Sequence, residues 1–364
     1  MSNKIIFIDP ICNLNHYTIK NIPIGASEYQ FYNLVYNLSL KTGSNIICFN
    51  NCENEQKIDS IEYINFSKFM GFSIDINDKI VIQRIFLNDP NFIKKIIKNK
   101  IFLWIHDLIC PQIFLSNNQK LVNYFSTDFT LYKNLILSFF ADKNNINYIV
   151  PSNFNKKMLY NYFADYGFHI GMKNIHVIYN ILYEAEFSKN NKINVDLNQL
   201  VFGSAWTKNI DHVIQLFDFL YNNDSDLKLL LMSPGWDNDK FKDLEVTLKN
   251  KYKERIIIMG KQRKEDFCKI VQSSLCVLSS TFSETFGCVY AESYYMGVPV
   301  IADCRSGAVS EIIDNEYIVD YFKPYEVLAK IRKLQSNRMT MNISLDKKFL
   351  LEENINKWLQ LLQN

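Results

Sequence analysis

Short apolar runs rich in isoleucine and valine recur along this 364-residue chain, and longer segments with a helical apolar period separate them. That alternation limits the possible folds more than any other feature. A β-branched run favours a strand and a helix-period segment favours a helix. Regular alternation of the two is the pattern of a parallel α/β sheet. Candidate strands in the first half are Lys4–Asp9, Asn45–Phe49, Lys79–Gln83, Lys100–Trp104, Asn147–Val150 and Ile175–Tyr179. In the second half they are Gln199–Gly203, Lys228–Met232, Arg255–Met259, Leu275–Leu278, Val300–Asp303 and Tyr317–Val319. The helix between the first two strands is the best marked. Gly25-Ala26-Ser27-Glu28 opens it, Phe31, Leu34, Val35 and Leu38 line one face, and Thr42-Gly43 stops it.

A polar stretch from Glu184 to Asn198 separates the halves and is the expected linker. The expected domains are residues 1–183 and 184–345, followed by a closing segment, 346–364. That segment runs from Phe349-Leu350-Leu351 to Trp358-Leu359 and Leu362, an amphipathic helix pattern. Two doubly wound, Rossmann-like domains are expected to face each other across a cleft at the carboxyl ends of their strands, where ligands of such sheets bind.

Composition narrows the function classes. The chain is 48% apolar, enough to build two cores. A net charge of +2 gives no electrostatic case for nucleic acid. The eight cysteines form no Cys-x-x-Cys pair; Cys48 and Cys52 are the closest, and no histidine cluster accompanies them, so no metal is expected. Met-Ser-Asn-Lys runs straight into Ile-Ile-Phe-Ile and Asp9, too short for a signal peptide. No apolar run approaches the roughly 18 residues of a membrane helix. A cytoplasmic setting is the default expectation.

The chemistry concentrates in Ser283-Glu284-Thr285-Phe286-Gly287-Cys288-Val289-Tyr290-Ala291-Glu292-Ser293, which leads through Met296-Gly297 into Pro299-Val300-Ile301-Ala302. It follows the apolar run Leu275–Leu278. A helix starting near Gly287 would offer backbone N–H groups to an anion, with Glu284 before it and Glu292 about one turn inside. N–H groups for phosphate and carboxylates for hydroxyls suit a polyol diphosphate. Two helix-surface glutamates would show the same spacing, but not the same surrounding letters. This stretch closely resembles the donor-binding segment of retaining GT-B glycosyltransferases with a Glu-x7-Glu pattern, the glycosyl transferases group 1, or family 4, type.

That resemblance implies further roles. Glu284 would hold donor-sugar hydroxyls and Glu292 the ribose hydroxyls, Phe286 and Gly287 lie where the family presents backbone N–H groups to the donor, and Thr285 beside them is a further donor-binding candidate. In Val201-Phe202-Gly203-Ser204-Ala205-Trp206-Thr207-Lys208-Asn209, Lys208 matches the lysine of the family's Arg–Lys phosphate clamp. Gly203 and Ser204 would approach the nucleotide. The arginine expected just after the glycine is absent; Ser204 and Ala205 stand there, and Arg263 in Gly260-Lys261-Gln262-Arg263 is the candidate replacement. Pro23-Ile24-Gly25-Ala26-Ser27-Glu28 resembles the family's Gly-Gly-x-Glu loop, with Ala26 at the second glycine; an N-capped helix would carry the same letters. His106, in Trp104-Ile105-His106-Asp107, matches a histidine that contacts the donor sugar. Pro151-Ser152 and Val177-Ile178-Tyr179-Asn180 resemble the remaining cleft-edge turns, although Ser152 would serve equally as a helix cap. The closing helix is expected to cross back onto the first domain.

The function so implied is transfer of a sugar from a UDP- or GDP-sugar to an acceptor hydroxyl with retention of configuration. No cofactor or metal is implied, and no Asp-x-Asp motif lies beside the donor elements. Expected partners are a nucleotide sugar and a glycan, lipid-linked or small-molecule acceptor. The basic segment Phe92–Lys100 would suit peripheral contact with a membrane face, or simply a solvated surface. Two other classes fit the same architecture: a sugar-nucleotide epimerase or hydrolase, and a non-catalytic nucleotide- or sugar-binding relative. The absent arginine favours the latter.

Overall fold

The computed structural model describes residues 4–13, 25–83, 90–106, 145–165, 170–182, 184, 187, 193–232, 241–282 and 284–363. The chain divides into two compact units, Met1–Ile181 with Asn354–Asn364, and Leu182–Glu353.

The first unit holds strands β1 (Ile5–Asp9), β2 (Ile46–Asn50), β3 (Gln56–Ile58), β4 (Ile61–Asn65), β5 (Lys79–Gln83), β6 (Lys100–Trp104), β7 (Ile146–Val150) and β8 (Ile175–Val177). Their order in the sheet is β3-β4-β2-β1-β5-β6-β7-β8. Every pair is parallel except β3–β4. β1 and β2 are buried along their whole length. Parallel strands covered on both faces read as continuous apolar runs, which is why the sequence marks them so plainly. The antiparallel β3–β4 pair is absent from the sequence-based strand set. Its runs, Gln-Lys-Ile and Ile-Glu-Tyr-Ile-Asn, are short and alternate in polarity, and Asp59 at φ +50° makes the turn between them.

Helix α1 (Ala26–Thr42) ends where Gly43, at φ +59°, donates its N–H to the Ser39 carbonyl. The short α2 (Pro90–Ile96) takes up most of the basic segment. It buries Phe92, Ile93 and Ile96 in a core with Phe49 and Phe69. Its Lys95 donates to the carbonyls of Met70 (2.9 Å) and Phe72 (2.6 Å), so one of its charges serves the fold. Ser152 accepts the Asn155 N–H at 2.9 Å and caps α3 (Asn153–Asp165).

The second unit holds β9 (Asp196–Phe202), β10 (Lys228–Leu231), β11 (Ile256–Ile258), β12 (Ser274–Ser279), β13 (Val300–Asp303) and β14 (Ile318–Val319), all parallel, in the order β11-β10-β9-β12-β13-β14. Its helices are α4 (Ile210–Asn223), α5 (Lys242–Tyr252), α6 (Lys264–Gln272), α7 (Cys288–Tyr295), α8 (Val309–Ile312) and α9 (Pro324–Asn337). The strand β9 begins inside the stretch read as linker. Asp196, Leu197 and Asn198 form its partly exposed first half, and Asp196 is in register with Ser274. A polar, half-exposed strand start carries no apolar signal. The strand order reverses between β9 and β12. A crevice therefore opens at their carboxyl ends, the place where open α/β sheets bind ligands.

The closing helix, α10 (Leu351–Gln363), has residues 354–363 in the first unit. There Trp358 meets Trp104 edge to face at 5.3 Å, and the Asn354 side chain accepts the Tyr179 N–H at 3.1 Å.

Candidate active site

The crevice of the second unit is built from the loops that follow β9 and β12. At the end of β9, a Cβ on Gly203 would lie 3.2 Å from the Phe267 ring of α6 and 3.4 Å from Val289 of α7. A larger side chain there would need the Phe267 ring to give way, so the glycine keeps the backbone close to both helices. The loop then runs to Asn209, which takes a left-handed conformation at φ +61°. Its amide donates to the Ser280 carbonyl at 3.1 Å, and the Ser280 hydroxyl donates back to the Asn209 carbonyl at 2.9 Å. The two loops are thus stitched to each other. The end of β12 is pinned as well. The Tyr321 hydroxyl accepts the Ser279 N–H (2.9 Å) and donates to the Ile301 carbonyl (2.7 Å), while the Ser279 and Tyr290 hydroxyls bond at 2.5 Å. Gly287, at φ +89°, turns the chain into α7.

Two carboxylates enter this frame, each with a lysine. Lys208 Nζ donates to Glu284 Oε2 at 2.9 Å; the glutamate side chain is 9% exposed and the lysine 44%. The Phe286 N–H makes a long 3.5 Å contact with the other carboxylate oxygen. The Glu284 carbonyl accepts the Ala308 N–H at 2.9 Å, which ties the loop to the one after β13. Glu292, one turn into α7 and 11% exposed, accepts a short bond from Lys264 Nζ. Lys264 is 28% exposed and sits over the rings of Phe187 (4.8 Å) and Phe267 (5.2 Å). Burial, followed by the nearby Glu284 charge, pushes the Tyr290 phenol well above its ordinary pKa, so it stays protonated and keeps its bond to Ser279.

The remaining sequence-derived candidates fall as follows. Thr285 and Phe286 are buried in the loop before Gly287, the Phe286 ring lying 5.9 Å from that of Phe349. Ser204 is half-buried just after Gly203. Arg263 precedes α6, and its guanidinium bonds Asp266 at 2.9 Å with the side chain 66% exposed. Its neighbour Lys264 is the cation on Glu292. Gly25, Ala26 and His106 belong to the first unit. Gly25 precedes α1, and a Cβ there would meet the Glu28 carboxylate at 2.3 Å. Ala26 is the first residue of α1. His106 follows β6, its ring 4.6 Å from that of Trp104.

Sequence reading missed Lys264, the Asn209–Ser280 stitch and Tyr290. One signal for Lys264 was present. It is the first residue of a helix, where the macrodipole disfavours a cation, so a lysine there calls for a carboxylate or anion nearby. Among the described residues, no group of three or more histidine, cysteine, aspartate or glutamate side chains is arranged to hold a metal ion. No helix among them is long and apolar enough to cross a membrane.

Residues 184–349 match the family model of glycosyl transferases group 1. A comparison with curated proteins gave no match. Among solved structures, the chain resembles a sucrose-phosphate synthase from Thermosynechococcus elongatus, with a TM-score of 0.70 at 13% identity, covering 100% of this chain and 98% of that one. The Anabaena protein HepE, solved with UDP and glucose, gives 0.65 at 13% identity and covers 100% of both chains. TarM gives 0.56 at 18% identity over 80% of this chain, which spans only 56% of TarM. At such identities the likeness concerns the fold. The two mainly parallel α/β sheets therefore have the GT-B fold, and residues 184–349 are similar to the glycosyl transferases group 1.

Proposed function

We propose that the protein transfers a sugar from a nucleoside diphosphate sugar to an acceptor hydroxyl, with retention of configuration. The observation that carries this is the pair of buried glutamates, each on a lysine, flanking the Gly287 turn at the crevice of the second sheet. We assign the ribose hydroxyls to Glu292 and the donor-sugar hydroxyls to Glu284. The backbone N–H groups at the start of α7 face phosphate oxygens. HepE was solved with UDP, so UDP-sugars are the first donors to test, followed by GDP-sugars.

The chemistry follows from charge. As the bond from the anomeric carbon to the diphosphate oxygen breaks, its electron pair stays on the diphosphate. Lys208 neutralises that developing charge, the kind of contact worth a few kcal/mol in the barrier. The acceptor hydroxyl approaches on the face the diphosphate leaves. It forms the new carbon–oxygen bond and passes its proton to the departing phosphate oxygen. No protein nucleophile is required, and no step is assigned to a metal.

The test is release of nucleoside diphosphate from a panel of sugar nucleotides, with and without acceptors, read beside calorimetric binding. At least one donor should be turned over, and Glu292→Ala should weaken nucleoside diphosphate binding at least about tenfold, as expected for loss of charge-assisted bonds worth roughly 1.5–3 kcal/mol. Failure of every sugar nucleotide to bind or react would sink the proposal. Interconversion of donor sugars without transfer would replace it with the epimerase reading.

A further inference from the structure

We infer that Lys264 is the second cation of the diphosphate site, and that its ion pair with Glu292 is the ligand-free form of a contact that donor binding exchanges. This rests on the donor site proposed above and names a residue that no sequence motif marks.

Charge balance is the first ground. Glu284 and Glu292 bring two negative charges, and Lys208 alone would leave the site at −1, which would repel a diphosphate. Lys264 brings the ligand-free site to neutrality. The loop after Gly203 carries Ser204 and Ala205, so it supplies no cation besides Lys208 up to Asn209. Arg263 is turned to Asp266 and is mostly exposed.

Position is the second ground. Phe267, one of the two rings beneath the Lys264 ammonium, is also the ring that closes on Gly203. Lys264 is thereby tied to the end of β9 as well as to Glu292 on α7. The α6 dipole opposes a cation at this place. Glu292 and two aromatic faces hold it there in spite of that. The exchange leaves every buried charge satisfied. Ribose hydroxyls donate to Glu292 while the ammonium, on its flexible stem, turns to a phosphate oxygen. No covalent bond changes.

Lys264→Met is the informative variant, because methionine keeps an apolar stem against Phe187 and Phe267. The full chain would be titrated with uridine, UDP, guanosine and GDP, using calorimetry for the diphosphates and saturation-transfer NMR for the nucleosides. Lys264→Met should weaken diphosphate binding about tenfold or more, with a shallower salt dependence, and leave nucleoside binding within about twofold. Lys264→Arg should recover most of the loss, and Arg263→Gln should change little. Equal losses for nucleoside and diphosphate would mean that Lys264 only orients Glu292, and would overturn the inference. So would an unchanged diphosphate affinity. If Lys264→Met does not fold, Lys264→Arg and Lys264→Gln decide by the same nucleoside-to-diphosphate ratio. If the wild-type chain binds none of the four ligands, the donor-site proposal itself fails, a result distinct from any effect of the variants.

Discussion

Replacing Gly287 with alanine should cost more stability than the same change at Gly260 or Gly297 of the second unit, and the structure says by how much. Gly287 lies at φ +89° and ψ 65°. An L-residue there pays about 1–2 kcal/mol for the left-handed backbone alone. The added methyl would also fall 2.2 Å, 2.6 Å and 2.9 Å from three Tyr290 ring carbons. That ring is buried and its hydroxyl is bonded to Ser279, so it cannot swing aside without breaking a buried hydrogen bond, a further 1–3 kcal/mol or about that. Together the loss is about 2–5 kcal/mol. Two glycines serve as internal standards. Gly297 sits at φ +75°, but its nearest added contact is 3.9 Å away, so Gly297→Ala should show only the backbone cost. Gly260 has neither a positive φ nor an atom within 4 Å, and Gly260→Ala should be near neutral. Urea denaturation of the full chain, analysed at constant slope, reads all three. A Tyr290→Ala background should remove the clash and leave Gly287→Ala only about as costly as Gly297→Ala. If Gly287→Ala and Gly297→Ala are equal in the wild-type background, the steric account of this turn is wrong.

Three further outcomes are expected. Glu284→Ala should cut turnover with the full sugar nucleotide while nearly sparing free nucleoside diphosphate binding; parallel losses in calorimetry and rate assays would count against the assignment of Glu284 to the sugar. Lys208→Ala should lower the catalytic rate roughly 10²–10³-fold, as for other removed transition-state charges, and a rate within a few-fold of wild type would remove it from the leaving-group role. Burial, then the charges of Lys156 and Lys100, holds the His176 pKa below its ordinary value of about 6.5. The unfolded chain therefore takes up the proton first as pH falls, so this contribution to stability is complete above about pH 6.5 and is lost progressively below it. His176→Gln should flatten the fall in unfolding midpoint between about pH 7.5 and 5.5, and identical slopes in both proteins would refute the assignment.

Much of the frame was legible in the sequence because burial on both faces writes itself as unbroken apolar runs. The runs at Ile5–Asp9, Lys79–Gln83 and Val300–Asp303 stand out as strands, and α1 announces both its ends. The two carboxylates and the glycine turn between them were legible too, since they lie within nine residues of one another in the chain and need no long-range contact to be placed together. The half-exposed β3–β4 hairpin and the polar start of β9 were not, because alternating or polar strands carry little local signal. The partners of the site could not be read in one dimension. Lys208 reaches Glu284 across 76 residues, and Asn209 meets Ser280 across 71. Lys264 and Arg263 are neighbours in the chain, and both are cations near a helix start. Only the tertiary structure separates them, because the direction of a side chain at the first turn of α6 is set by where Phe187, Phe267 and Glu292 lie around it. The sequence by itself determined that two carboxylates stand on either side of the Gly287 turn. The tertiary positions of Phe187, Phe267 and Glu292 decided which of the two neighbouring cations pairs with Glu292.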